Sequence, residues 1–292
     1  MAECRISVCI CTRNRPDDLI QALQSLMRSA ALPYEIIVSD DSTDMRSRHL
    51  VEEGFPSVKY TAGPRRGLAA NRNHALSHVT GTHVLFIDDD VVVDRDFLRL
   101  TTQALEAYDS LGGAKWVVTG IENKRGSLIY PHDQTFLGFQ SKVYGSGDAM
   151  KTIVINSTVF PVELFREVGF DEFLIYGYEE VDIATRAVAK GYRIALLDKA
   201  VNYHDPSEIN RDYYKPHIVS SRLYVTFKRY FYTEKKWLKA VSFFAIGIFH
   251  AILHGAKTGG GRGIRESLRG VASSIRYIRA HRKRYGAREG AL

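Results

Sequence analysis

The sequence predicts an α/β protein built on a sheet flanked by helices, with a helical C-terminal extension. Three observations predict it. Residues 5–90 alternate strand-length apolar runs with helix-length stretches, the run VLFIDDDVVVD at 84–94 carries three aspartates to the end of a buried strand, and the chain turns helical after about residue 208. At 292 residues, 45% of them hydrophobic and 25% charged, it is long enough for one large core or two small ones.

Taken in order, ISVCIC is the first strand, followed by a helix over 17–29; EIIVSD leads to a helix over 44–53, SVKYT to one over 68–79, and HVLFID closes the series. Such a rhythm makes βαβ units with parallel strands, whose ligands bind beyond the strands' carboxyl ends. Polar clusters at 12–15, 40–44 and 88–90 fall there. No GxGxxG follows the first strand, so a dinucleotide-dehydrogenase version of the architecture has no support. Between 113 and 160 short β-like pieces with Gly, Asn and Pro punctuation predict a less regular extension of the sheet. A short helix opening with Pro161 over 161–168, a helix over 179–190 ending at Gly191 and a strand over 192–198 complete the α/β unit, 1–208, with halves 1–112 and 113–208. Region 209–292 is helical, over about 211–233 and 235–257 and, after a flexible GGGRG, over 264–284.

The net charge of +7 is a property of the tail: residues 257–292 hold ten Lys or Arg and two Glu, leaving the rest near neutrality. With no basic groove or nucleic-acid-binding signature before residue 257, no nucleic acid partner is expected. Cys4, Cys9 and Cys11 lack CxxC spacing, which argues against a disulfide framework or zinc site and for a reduced, cytoplasmic setting. The N-terminal apolar stretch is too short for a signal peptide. Residues 237–256 are apolar on nearly every face, but Lys239, His250 and His254 interrupt them and Arg276, Arg279, Arg282, Lys283 and Arg284 follow. That favours a helix lying on an anionic leaflet, at the inner face of the plasma membrane, over burial against the α/β unit or a second copy in a homodimer, and over a true span.

Three carboxylates at a strand end need a cation. An extended backbone sends alternate side chains the same way, so Asp88 and Asp90 are expected to face one site while Asp89 points elsewhere. Hard oxygen ligands of this kind suit Mg²⁺ or Mn²⁺, completed by phosphate oxygens and water.

TRNRP at 12–16, SDDSTD at 39–44, GLAANRN at 67–73, IDDD at 87–90, EEVD at 179–182 and His204 together resemble the family 2 glycosyltransferases, over roughly residues 5–205. The resemblance implies a GT-A type, Rossmann-like mixed sheet flanked by helices. It also implies inverting transfer of a sugar from a nucleoside-diphosphate donor, UDP or dTDP, to a hydroxyl of a saccharide or lipid-linked acceptor, one sugar at a time, since no QxxRW element is present. In that reading Asp90 contacts the metal, Asp88 or Asp89 reaches the ribose or a metal-bound water, and His204 completes the metal site. Asp41 accepts the pyrimidine imide N–H, Arg72, Arg13 and Arg15 pair with the diphosphate, and Thr12 belongs to the same donor-binding cluster. Asp40 and Asp44 cap a turn and the next helix. Glu180 stands where the family places its base, one methylene longer than the usual Asp; Glu179 is the alternative, and Asp182 supports the site or caps the helix. Residues 156–158, NST, replace the small acceptor loop of many relatives and imply a different donor selectivity. A sugar nucleotidyltransferase lacks support because no Gly-rich phosphate loop follows ISVCIC, and a non-catalytic membrane-bound sugar-nucleotide-binding or scaffold protein because the carboxylate set is intact.

Overall fold

A computed structural model describes residues 3–113, 115–145, 147–206 and 211–289. Its first strand, β1 (Ile6–Thr12), is buried at all seven positions. It lies inside the sheet, so both of its faces need apolar cover. After α1 (Pro16–Met27) come β2 (Glu35–Asp40), α2 (Arg46–Gly54), β3 (Lys59–Ala62), α3 (Leu68–Leu76) and β4 (His83–Asp88). β1 to β4 are parallel, in the order β3-β2-β1-β4.

A short β5 (Val91–Val92) and α4 (Phe97–Leu111) lead to β6 (Lys115–Lys124), β7 (Ser127–Ile129) and a separate ribbon of β8 (His132–Gln134) and β9 (Gln140–Val143). Then follow β10 (Thr158–Pro161), α5 (Leu164–Glu167), α6 (Glu179–Ala189) and β11 (Tyr192–His204). β10 runs antiparallel between β4 and β6, β11 lies parallel to β6, and β5 pairs with the end of β11, which makes the sheet mixed.

Two local expectations are corrected. Pro161 does not open a helix; it ends β10 opposite His83, and α5 starts at Leu164. Without an N–H the proline stops the ladder. The strand expected over 192–198 continues to His204 through a register shift between Leu196 and Val201. Gly120 makes room for it, since a Cβ there would stand 2.2 Å from the Ala200 carbonyl oxygen.

Buried apolar residues line both faces of the sheet. Val8, Ile10, Val38, Leu85 and Ile87 pack with Leu19, Leu23, Leu26 and Phe97 on one side; Cys9, Ile37, Val84 and Phe86 pack with Ala69, Phe160 and Ile183 on the other. This alternation along β1 and β4 is the period of two made three-dimensional.

The C-terminal region is α7 (Arg211–Lys228), a wider helical turn at 229–233, and α8 (Trp237–Glu289). The GGGRG expected to be a flexible linker is a tight reversal inside α8. Gly260, at φ 54° and ψ −136°, breaks the helix into two arms. The arms touch at backbone level, because a Cβ on Gly255 would lie 2.5 Å from the Gly263 carbonyl oxygen. Leu223 and Tyr230 share a buried cluster with Ala240 and Phe243 of the first arm and Val271 of the second. Tyr224 and Val225 share another with Leu174 and Val181, on which Tyr277 and Ile278 pack. The boundary expected at 208/209 falls on residues 207–210, outside the described residues. These shared clusters join the helical region to the α/β unit rather than leaving it as a separate body.

Candidate active site

The polar clusters converge at the carboxyl edge of β1, β2 and β4. Asp41, just past β2, is fixed by its own N–H donating to the Thr12 carbonyl at 2.9 Å and by its Oδ1 accepting the Arg65 N–H at 2.8 Å. Gly63 permits that approach, since a Cβ there would fall 2.3 Å from Asp41 Oδ1. Burial pushes the Asp41 carboxyl up from its ordinary value, against the pull of the Arg65 N–H and Arg13. Asp40 accepts from Ser42 N at 2.7 Å and Tyr60 OH at 2.9 Å, and Asp44 accepts from Arg46 N at 3.0 Å where α2 begins. These two carboxylates build the turn. Arg13 is exposed beside them.

The three aspartates separate. β4 ends at Asp88, so strand alternation stops there, and each of the three carboxylates has polar partners of its own. Asp88 Oδ1 accepts from buried Arg72 Nη2 at 3.0 Å, and its N–H donates to Asn156 Oδ1 at 3.1 Å. Asp89 is fully buried, accepting from Thr12 Oγ1 at 2.7 Å and from Arg15 Nε at 3.1 Å. Arg15 also donates to Asp90 Oδ2 at 2.7 Å. Thr12, Arg15 and Asp89 thus face one another beneath the turn that carries Asp90.

Asp90 Oδ1 lies 3.3 Å from His204 Nε2, and His204 Nδ1 lies 2.8 Å from Glu122 Oε2. The pairing of Val91 with His204 across β5 and β11 creates this proximity. Burial alone would depress the His204 pKa, but the hydrogen bonds to Asp90 and Glu122 prevail and raise it to about 10. A divalent ion that displaced the Nε2 proton would be met by the Asp90 carboxylate and the imidazole together, with Glu122 fixing the ring orientation from the far nitrogen. Among the described residues no group of three His, Cys, Asp or Glu converges at ligating distance, so any such ion would take most of its ligands from diphosphate and water.

Opposite lies the start of α6. Gly177 and Tyr178 both take left-handed backbone, φ 83° and 71°, which turns the chain sharply into Glu179 and Glu180. A non-glycine residue there is strained, and Tyr178 is held by its hydroxyl donating to the Gly138 carbonyl at 3.1 Å. Glu179 is 5% exposed and its Oε1 has no hydrogen-bond partner among the described residues. Burial raises its pKa to about 7, opposed by Arg72 and assisted by Glu180 and Asp88. Glu180 is half-buried, and burial raises its pKa as well. Asp182 is committed to Arg186 and to Lys228 Nζ, 2.8 Å away.

Several participants had no sequence signal. Glu122 meets His204 through the β6–β11 pairing, Tyr176 comes close enough to Asp88, Asp90, Glu179 and Glu180 for their charges to raise its pKa beyond the effect of burial, and Asn202 donates to the Asn156 carbonyl at 2.8 Å. Asn156, Ser157 and Thr158 are buried supports of β4 and β6.

Residues 7–158 match the family model described as glycosyl transferase family 2. An uncharacterized glycosyltransferase of Bacillus subtilis, YwdF, is 26% identical over 192 residues, 65% of this chain and 70% of that protein. The succinoglycan biosynthesis protein ExoM of Rhizobium meliloti is 29% identical over 115 residues, 37% of this chain and 36% of its own length, so the chain spans only about a third of that relative. Among solved structures, S. aureus TarS 1–349 in complex with UDP-GlcNAc superposes with a TM-score of 0.61 at 16% identity, over 94% of this chain and 81% of that one. That likeness establishes the GT-A-like fold.

Proposed function

The chain belongs to glycosyl transferase family 2, and from that premise we propose that it moves a sugar from a UDP- or dTDP-sugar to an acceptor hydroxyl, with inversion, in polysaccharide or glycolipid synthesis. The observation that carries this reading is the convergence at one sheet edge of the acceptor-only carboxylate of Asp41, the Asp90–His204 pair and the carboxylates at the start of α6. The polysaccharide-synthesis role of the Rhizobium relative and the UDP-GlcNAc bound by TarS support it.

Asp41 accepts the imide N–H of the pyrimidine, which excludes bases lacking that donor. Arg72 and Arg13 supply cationic donors for the diphosphate, with Arg72 also holding Asp88 toward the ribose side. Asp90 and His204 fit Mg²⁺ or Mn²⁺, which would stabilise the negative charge of the departing diphosphate. Glu180 takes the proton of the acceptor hydroxyl as its oxygen bonds to the anomeric carbon and the bond to the diphosphate breaks, the electron pair leaving with the phosphate. Glu179, buried behind it, keeps that corner acidic and acts as the reserve candidate for base.

The same reading places the enzyme on the cytoplasmic face of an anionic membrane. Trp237, Leu238, Val241, Ile246, Phe249 and Leu253 are exposed along the first arm of α8, and residues 237–284 contain ten Lys or Arg against one Glu. By length and composition α8 could cross a membrane, but Ala240, Phe243 and Gly247 pack against α7, which favours attachment at the surface. Flotation with anionic vesicles that is lost at high salt supports this; self-association without vesicle binding assigns the apolar stripe to a homodimer.

The donor is tested by thermal shift with UDP-, dTDP-, GDP- and ADP-sugars, each in Mn²⁺ and in EDTA. Stabilisation by the pyrimidine donors, dependent on Mn²⁺ and lost in Asp41→Ala, is expected. Stabilisation by purine donors alone removes the pyrimidine reading, and no stabilisation by any donor removes the transferase reading.

A further inference from the structure

We propose that Lys228, contributed by α7, is a positioning residue for the proton-accepting carboxylate, acting through Asp171 and Asp182; this rests on the assignment of Glu180 as base. Lys228 Nζ lies 2.5 Å from Asp171 Oδ2 and 2.8 Å from Asp182 Oδ1. All three side chains are about 5% exposed or less. The two aspartates bracket the segment 172–181, which contains the left-handed Gly177 and Tyr178 and both candidate bases. A single buried ammonium therefore ties the beginning of this segment to its end.

The rest of α7 reinforces the tie. Ser221 Oγ donates to the Tyr176 carbonyl at 2.8 Å, and Tyr224 OH donates to Asp171 Oδ2 at 2.6 Å. Ser221, Tyr224 and Lys228 are spaced three and four residues apart, so one face of a single helix holds the segment at three points. On the far side, Arg186 Nε donates to Asp182 Oδ2 at 2.9 Å and Nη2 to the Gly169 carbonyl at 2.7 Å. Two carboxylates and two cations balance within the cluster. Removing one cation leaves charge buried without compensation, so the arrangement is geometrically demanding.

Such precision has a use at Glu180. A general base must sit within hydrogen-bond reach of the hydroxyl it deprotonates, and a displacement of about 1 Å can lower turnover roughly 10²-fold. The left-handed residues just before Glu179 cannot hold that geometry by themselves, because their backbone conformation is itself unfavourable. Lys228 supplies the restraint from outside the segment.

The test compares wild type, Lys228→Met and the charge-balanced double variant Lys228→Met/Asp171→Asn, the last keeping the fold accessible should the single variant fail to fold. UDP is the binding probe, by calorimetry in Mn²⁺; UDP release from UDP-GlcNAc and UDP-glucose, with water as acceptor, is the turnover readout; amide hydrogen exchange reports the segment itself. In the double variant kcat should fall about 30- to 100-fold with UDP affinity within about twofold of wild type. Exchange should accelerate at residues 174–182 and stay unchanged in β1 and β4. Wild-type kcat in the folded double variant, an equal loss of UDP affinity, or unchanged exchange at 174–182 would each overturn the proposal. If wild type releases no UDP, the donor reading fails, and the exchange comparison still decides whether Lys228 holds the segment.

Discussion

Within the proposed site, Asp41 and Glu180 are held by different means. Asp41 follows β2 directly, and two backbone contacts, to Thr12 and Arg65, fix it at the sheet edge. Glu180 follows a strained turn, and its segment is fixed by Ser221, Tyr224 and Lys228 from a helix more than forty residues downstream. The donor side is thus a consequence of the sheet, whereas the base side is a consequence of how the C-terminal helices pack. Donor-side substitutions should therefore act locally, and base-side geometry should be vulnerable at a distance.

The sharpest way to break that contrast is at Asp90. Asp90→Ala removes the carboxylate beside His204 while the surrounding strands persist, so transfer should fall by roughly 10³-fold or more, and UDP affinity in Mn²⁺ should drop toward its value in EDTA. Circular dichroism would check the fold and calorimetry the binding; full activity in the variant or in EDTA removes the metal assignment. Next in size is Glu180→Gln, which keeps shape and loses basicity. Turnover should fall roughly 10²- to 10⁴-fold with UDP affinity nearly unchanged. If Glu179→Gln is instead the crippling change, the base lies one residue earlier.

Removing residues 237–292 probes the base side from a distance. The cut uncovers Leu223 and Tyr230 and deletes Phe243, Val271, Tyr277 and Ile278 from shared clusters. Deleting buried aromatic and aliphatic side chains costs about 2–5 kcal/mol at each site, so the truncated chain should melt at least ~10 °C lower or aggregate. A truncated protein with wild-type melting and UDP release would show that the helical region is dispensable.

The smallest effect concerns pH. Burial raises Glu179 to about 7, so the folded protein retains a proton that the unfolded chain, with its ordinary value of 4.5, has already lost. Its contribution is complete below pH 4.5 and is lost as pH rises through about 7. Glu179→Gln should consequently match wild type at pH 4 and gain about 1–3 kcal/mol on it by pH 8, read as a few degrees in Tm. Equal melting curves for the two proteins at pH 8 would place the ionised carboxylate in a better-compensated environment than its neighbours suggest.

Much of this contrast was legible in the chain. The alternation of apolar runs fixed β1 to β4 and their helices, because burial on both faces of a parallel sheet leaves a continuous apolar signature. Asp41, Arg72, Asp88, Asp90, Glu179, Glu180 and His204 were legible as a family pattern at strand and helix ends. The pairing of Asp89 with Thr12 and Arg15 was not legible, since a run of like residues does not reveal which carboxylate turns inward to an internal cation. The length of β11 was hidden by a bulge that only Gly120 on the neighbouring strand accommodates. The GGGRG reversal read as a linker because glycine permits both a flexible chain and a left-handed break, and only the packing of Gly255 on Gly263 selects one.

By itself the sequence determined the α/β class and the order of its first strands and helices, which follow from local periodicity, while the residues for a nucleotide sugar were legible only through the family resemblance. Tertiary structure alone decided that Glu122 orients His204, that Thr12 and Arg15 pair with Asp89, and that Lys228 binds Asp171 to Asp182. Those pairings join residues tens of positions apart, and an ion pair across such a distance leaves no period in the chain. It exists only once strands and helices have packed and buried the charges that must find one another.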